Sequence, residues 1–368
     1  MIENQTYKHK NRQSSIEMLR ILAMLMIVLN HLQWRGGFAA TFLSGWGGCG
    51  DALFFAISAW FLCDEQLSIN KNLRRIWNLE KQILFYSLGI LVICVCLANI
   101  GIHHISSWSS LAIQSALPII TCLWWYPMSY MLFLLIHPYL TIGLKSLQYS
   151  NHRNLGIILI LTFSIVPMIK TRTGVLLDAG WNLMLFIFLY IIISYIRWYI
   201  PEKLTVRNGR NALLIGLSIA FISVVALSRV HIPQTYPILW MNSPRCLPSL
   251  FMALGLFTLA LNCDNWQSTI VNNIASCTLA PYLIWSHPEI GSAVDGFVNK
   301  LPYQNMKLVA AQAGIGIMLL CAGLIVDLIR QFIFRFTINR HPYRWFDKIT
   351  ICNLKFVSRL TNLLTPNI

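Results

Sequence analysis

The sequence predicts an all-α polytopic membrane protein of about ten transmembrane helices, with both termini in the cytoplasm. Three observations carry this. The 368 residues are 56% hydrophobic and only 11% charged, with a mean hydropathy of +0.60, far from a soluble average. The apolar residues fall into segments of about 15–24, long enough to cross a hydrocarbon core of roughly 30 Å as helices, some only marginally. An outer-membrane barrel would instead show short alternating runs. Lys and Arg, finally, concentrate in alternate loops, as cytoplasmic loops do.

In chain order, spans are expected near 16–34, 50–63, 79–100, 124–144, 155–169, 181–200, 212–228, 245–262, 270–288 and 307–330. The segment 105–122, "ISSWSSLAIQSALPIITC", is Ser-rich and ends its apolar run at Pro118, which predicts an interfacial or re-entrant piece. Lys8, Lys10 and Arg12 precede the first span. Lys71, Arg74 and Arg75 follow the second, Lys145 and Arg153 the fourth, and Arg197, Lys203, Arg207 and Arg210 the sixth. Arg330, Arg335, Arg340, Arg344 and Lys348 crowd the end of the tenth. The opposite loops hold fewer: Arg35, Lys170, Arg172, Arg229, Arg245 and Lys300. The formal charge of +15 is mostly this bias meeting anionic headgroups. No basic patch sits on a soluble domain, so nucleic acid is not an expected partner.

The first span is longer than a signal-peptide core and reads as an uncleaved anchor. Residues 1–348 form one integral membrane domain in this reading, and 349–368 a short cytoplasmic tail. No internal repeat is evident. Most of the ten cysteines lie inside spans, where they act as small apolar residues. Cys49 and Cys246 both fall near the outer face, and the sequence leaves open whether they pair. No Cys/His spacing suggests a metal site.

The first span, within "SIEMLRILAMLMIVLNHLQWRGG", carries an acid, a base and an imidazole. From Arg20 to His31 is eleven residues, which at about 100° each returns to within roughly 20° of the same face, some 16 Å further along the axis. Glu17 lies one turn before Arg20, where the two can meet. Snorkelling at the interface would explain each singly. Three ionisable groups on one stripe point instead to a protein interior or a water-filled path.

"SSIEMLRILAMLMIVLNHL" resembles the opening of the acyltransferase 3 family, bacterial integral membrane acyltransferases whose first helix carries an Arg, ten intervening residues and a His, here Arg20 and His31. "GDALFFAISAWFL" is similar to the family's second-helix pattern, "LWWYPMSYMLFLLIHPYL" to its Trp-Phe segment, and "SPRCLPSLFMALGLFTL" and "LAPYLIWSHPEI" to later helices. The resemblance covers nearly the whole chain, and the first-helix motif is its most specific part. Ala59 stands where the family has Gly, and Ala52 where it has an acid or amide, with Asp51 displaced by one. Asn30 stands where many relatives have a second His or an aromatic residue, and Trp285 replaces a late His, with His287 two residues on. The family's Arg pair near the third helix is matched only by Lys71, Arg74 and Arg75. These departures bear on efficiency and substrate identity more than on fold.

The resemblance implies a membrane O-acyltransferase, most often an O-acetyltransferase, in a bacterial cytoplasmic membrane. It would move an acyl group from cytoplasmic acyl-CoA (acetyl-CoA) to a hydroxyl of a surface or exported polysaccharide or a lipid-linked oligosaccharide. Acetyl-CoA is then a donor substrate, not a resident cofactor. Arg20, Lys71, Arg74 and Arg75 would hold its phosphates. His31, with Glu17 and Arg20 below it, would serve as general base or accept the acyl group itself. Asp51 either fixes the tautomer of His31 or caps its helix. Trp124, Trp125 and Tyr126 stack on a sugar or form an aromatic belt. His103 and His104 have no evident partner, and His137 and His287 precede prolines at helix irregularities. Arg245 and Glu289 are further candidates for an acceptor cleft. A carrier or flippase for a lipid-linked glycan, or a non-catalytic member of the family, is the alternative.

Overall fold

The structure is a computed structural model that describes residues 13–32, 34–35, 37–102, 104–105, 107–169, 182–229, 243–264, 266–340, 343 and 346–347. Lys8, Lys10, Arg12, His103, Lys170, Arg172, Arg344, Lys348 and the tail 349–368 lie outside the described residues.

The described residues are helical, without strands, in the order α1 (Ser14–Asn30), α2 (Gly37–Ser44), α3 (Gly47–Leu62), α4 (Ile69–Asn99), α5 (Trp108–Ala116), α6 (Trp125–Ser146), α7 (Gln148–Leu159), α8 (Val166–Ile169), α9 (Leu183–Tyr199), α10 (Val206–Arg229), α11 (Leu247–Leu261), α12 (Thr269–Ser276), α13 (Leu279–Trp285), α14 (Pro288–Asn299) and α15 (Asn305–Phe336). Four helices among these residues are long and apolar enough to cross a membrane: Ile69–Asn99, Trp125–Ser146, Val206–Val225 and Asn305–Phe336. Leu183–Tyr199 and Leu247–Leu261 are shorter apolar helices. The segment 105–122 contributes only α5, too short to span.

Local chemistry sets many boundaries. Ser68, Ser107, Asn182 and Ser268 each cap a helix by accepting a backbone N–H from its first turn. The expected span 155–169 is α7 running through a π-turn (Ile160–Ile165) into α8. The expected span 270–288 is broken into α12 and α13, with Cys277 and Thr278 between them. Pro281 explains the break. It has no N–H to give the Cys277 carbonyl four residues back, and its ring would collide with that carbonyl in a continuous helix.

The core sits around α3, whose inner residues Leu53, Phe55 and Ile57 are buried against α1, α9 and α11. Phe55 meets Phe186 at 4.3 Å and Phe133 at 5.2 Å, edge-on. A Cβ at Gly50 would lie 2.7 Å from the Ala23 carbonyl oxygen, so a residue without a side chain lets α3 approach α1 closely. The outer helices turn apolar side chains outwards, with Val92, Ile222 and Phe332 more than half exposed, as lipid-facing surfaces would be.

Ends that the charge pattern assigns to one side meet in space. Arg197 at the end of α9 pairs with Asp64 after α3, and Lys145 at the end of α6 lies over Trp198 at 5.3 Å. Past α15, the chain returns to the start of α4, where Arg74 stands 4.9 Å above Tyr343 and pairs with Asp347 at 3.4 Å. At the other end, Arg35 donates to the carbonyls of Val298 and Asn299. Cys49 and Cys246 are separate buried thiols, so the pairing that the sequence left open is not made.

Candidate functional site

Helix α1 presents Glu17, Arg20, Met24, Ile27 and His31 at alternating steps of three and four residues, which places them along one face. Arg20 binds Glu17 at 3.4 Å, with Glu17 nearly buried and Arg20 more open. Two turns on, Met24 and Ile27 form one wall of a narrow cavity of about 10 Å³, room for a single water, completed by Asp51, Phe54, Tyr126, Leu279 and Tyr282. His31 follows directly, as the C-cap of α1 rather than inside it. Arg20 and His31 therefore lie on the same helix face as Met24 and Ile27, one before and one after them in the chain.

The His31 ring stands edge-on to Tyr282 at 5.8 Å. Its Nδ1 lies 2.8 Å from the Ile27 carbonyl oxygen. A carbonyl can only accept, so Nδ1 carries the proton and Nε2 keeps a lone pair. The hydrogen bond that could have come from Asp51 is thus supplied by the helix itself, and Asp295 on α14 is a carboxylate that acts on the ring. Asp51 is no helix cap either, because α3 begins at Gly47 and Asp51 lies a full turn inside it. Its carboxylate faces Tyr126 and Tyr282 across the cavity and acts on both.

Tyr130, one turn along α6 from Tyr126, is acted on by both Arg20 and Arg75. Of these groups, Tyr126, Asp51 and Tyr282 line one cavity, and His31 meets Tyr282 edge-on. Tyr130, Tyr282 and Ile27 were not singled out from the sequence. A lone Tyr or Ile in an apolar helix carries no signal until a neighbour is known.

The basic set of α4 divides. Lys71 and Arg75 both bind Glu65, at 2.9 Å and 2.5 Å, an acid in the preceding loop that sequence reading passed over. Burial would raise the Glu65 carboxyl, but hydrogen bonds and charge from Arg75 and Lys71 outweigh it and hold it below the usual carboxylate value. Arg75 also donates to Asn72, which anchors to the Leu134 carbonyl at 2.8 Å and so fixes α4 against α6. Arg74 turns away, towards Tyr343 and Asp347.

Of the three aromatics, Trp124 and Tyr126 are buried and Trp125 is partly so. An aromatic belt would face lipid. Trp124 instead packs against His287 at 5.9 Å, and Tyr126 faces the cavity. His287 caps α14, accepting from the Glu289 N–H, and His137 meets the Tyr190 hydroxyl at 3.2 Å inside α6. Both act as structural tethers beside their prolines. His104 is exposed.

The chain matches the family model of the acyltransferase 3 group, described as "Acyltransferase domain", over residues 13–327. Neither the curated proteins nor the solved structures contain a match.

Proposed function

This chain belongs to that acyltransferase family, and from this premise we propose that it is a multi-pass O-acyltransferase of a bacterial cytoplasmic membrane, both termini inside, that acetylates a hydroxyl of a surface polysaccharide from cytoplasmic acetyl-CoA. The observation that supports the reading is the face of α1 that carries Arg20, Met24, Ile27 and His31 in register, with Met24 and Ile27 lining a cavity beside Asp51, Tyr126 and Tyr282. In this reading Arg20 and Arg75 would receive the donor's phosphates, with Lys71 and Arg74 on the same end of α4 as Arg75. The apolar side chains lining the cavity, Met24, Ile27, Phe54 and Leu279, match the low charge of the pantetheine arm.

The proposed chemistry is direct transfer. The acceptor hydroxyl gives its proton to His31 Nε2, the lone pair that the Ile27 hydrogen bond leaves free. The hydroxyl oxygen attacks the thioester carbon, a C–O bond forms, and the C–S bond breaks. The thiolate then recovers the proton from the imidazolium. Tyr126 and Trp125 border the entry for the sugar.

The test is mass spectrometry of surface polysaccharide from cells with and without the protein, and with His31→Ala. The wild type adds one acetyl per repeat, and His31→Ala loses it while staying in the membrane. Full acetyl content in the His31→Ala strain would end the catalytic reading. The broken α12–α13 segment is the feature a glycan carrier would share. Movement of unmodified glycan without any acyl incorporation would favour that second reading.

A further inference from the structure

A second polar pocket lies between α4, α15 and the segment that follows α15. It is an open cleft of about 440 Å³ beside Asn78, Lys81, Arg330, Asn339 and Tyr343. We propose that this pocket binds a phosphate mono- or diester, the chemistry shared by a phospholipid headgroup and a nucleotide phosphate.

Hydrogen-bond accounting supports this. Asp327, fully buried, accepts five bonds: from Gln82, the Tyr86 hydroxyl, Arg330 twice and Gln331. Its charge and lone pairs are committed to Arg330 and its neighbours. Arg330 uses Nε and Nη2 for that pairing and also engages Tyr86, so it serves the pocket as a positive charge on its wall. Lys81 has Asn339 Oδ1 as its hydrogen-bond partner among the described residues, at 3.3 Å, and no carboxylate. That bond turns the Asn339 oxygen towards Lys81, with Asn339 itself on the wall of the pocket. The Tyr343 oxygen accepts from Asn78 at 3.1 Å, so its O–H can donate.

The pocket thus gathers two cations against one acid already engaged, with donors from Lys81 and Tyr343. A tetrahedral anion with several acceptor oxygens satisfies such a set, and basic pockets between membrane helices take phosphorylated headgroups. The pocket shares no residue with the cavity lined by Met24 and Ile27, so the inference does not rest on the catalytic reading.

The test uses full-length protein, stripped of lipid in neutral detergent, and two probes: short-chain phosphatidylglycerol and adenosine 3′,5′-bisphosphate. Diacylglycerol serves as the uncharged control. Affinity is read from saturable shifts in melting temperature. Wild type binds one or both probes and not the control. Lys81→Gln weakens binding about tenfold, and Asn339→Asp, which sets a carboxylate against Lys81, removes it. Asn339 is exposed, so that variant tests the site with little risk to folding. Binding of the lipid alone or the nucleotide alone assigns the source. No saturable shift with either probe, or unchanged affinity in both variants, overturns the proposal.

Discussion

Replacing Asp327 with Asn should destabilise the protein by about 3–5 kcal/mol, because it leaves the buried Arg330 guanidinium without its counter-charge. The size follows from the surroundings. Asp327 is completely buried, and the Arg330 side chain is only 10% exposed, so little water can replace the lost partner. Two of the five bonds come from Gln82 and Tyr86 on α4 and join that helix to α15. Interhelical bonds of this kind between membrane helices contribute only about 0.6 kcal/mol each, so most of the loss must come from the stranded charge. The assay is thermal or chaotrope unfolding in detergent, followed by tryptophan fluorescence. The informative comparison is the double variant Asp327→Leu with Arg330→Met, which removes both charges and should recover most of the loss. A single variant within about 0.5 kcal/mol of wild type, or a double variant no better than the single, would refute the reasoning, since surface changes fall in that range.

Gly50→Ala should lower the melting temperature, by about 1–3 kcal/mol of stability, because its Cβ meets the Ala23 carbonyl at 2.7 Å and Ile27 at 2.9 Å. Acyl transfer should fall further than stability, since Asp51 shifts with its helix. Glu65 binds Arg75 and Lys71, and its folded-state value is depressed, so its contribution is complete above the ordinary value of 4.5 and fades as pH falls through the folded value. Melting curves of wild type and Glu65→Gln should therefore differ at neutral pH and converge under acid. Steady-state kinetics in proteoliposomes should separate the two ends of the α1 face. Arg20→Gln should raise KM for the acyl donor, while His31→Gln should lower kcat by roughly 10²–10⁴. A change confined to kcat in both would place Arg20 in the chemistry instead of donor binding.

Much of the site was legible because helical spacing is rigid. A step of eleven residues from Arg20 to His31 puts both on one face whatever the partners are, and Met24 and Ile27 of that face line the cavity. What was not legible depends on where helices stop. Periodicity carried the first span past His31, but the helix ends at Asn30, and as a cap His31 turns its Nδ1 onto its own helix instead of onto a distant carboxylate. Lys71, Arg74 and Arg75, adjacent in sequence, do not share one partner in space. Consecutive helical residues point about 100° apart, so Arg74 faces the C-terminal segment while Arg75 joins Glu65.

The sequence by itself determined the medium, the helical class, the distribution of basic residues among the loops and the stripe on α1. These follow from composition and from a period of 3.6, both local properties. Only the tertiary structure decided which aromatics turn inward and that Tyr126, Tyr282 and Asp51 meet across a cavity. Only it brought Asp327 under five donors and left Lys81 beside Arg330. Such pairings join residues up to hundreds of positions apart, and no local periodicity encodes the packing that selects them.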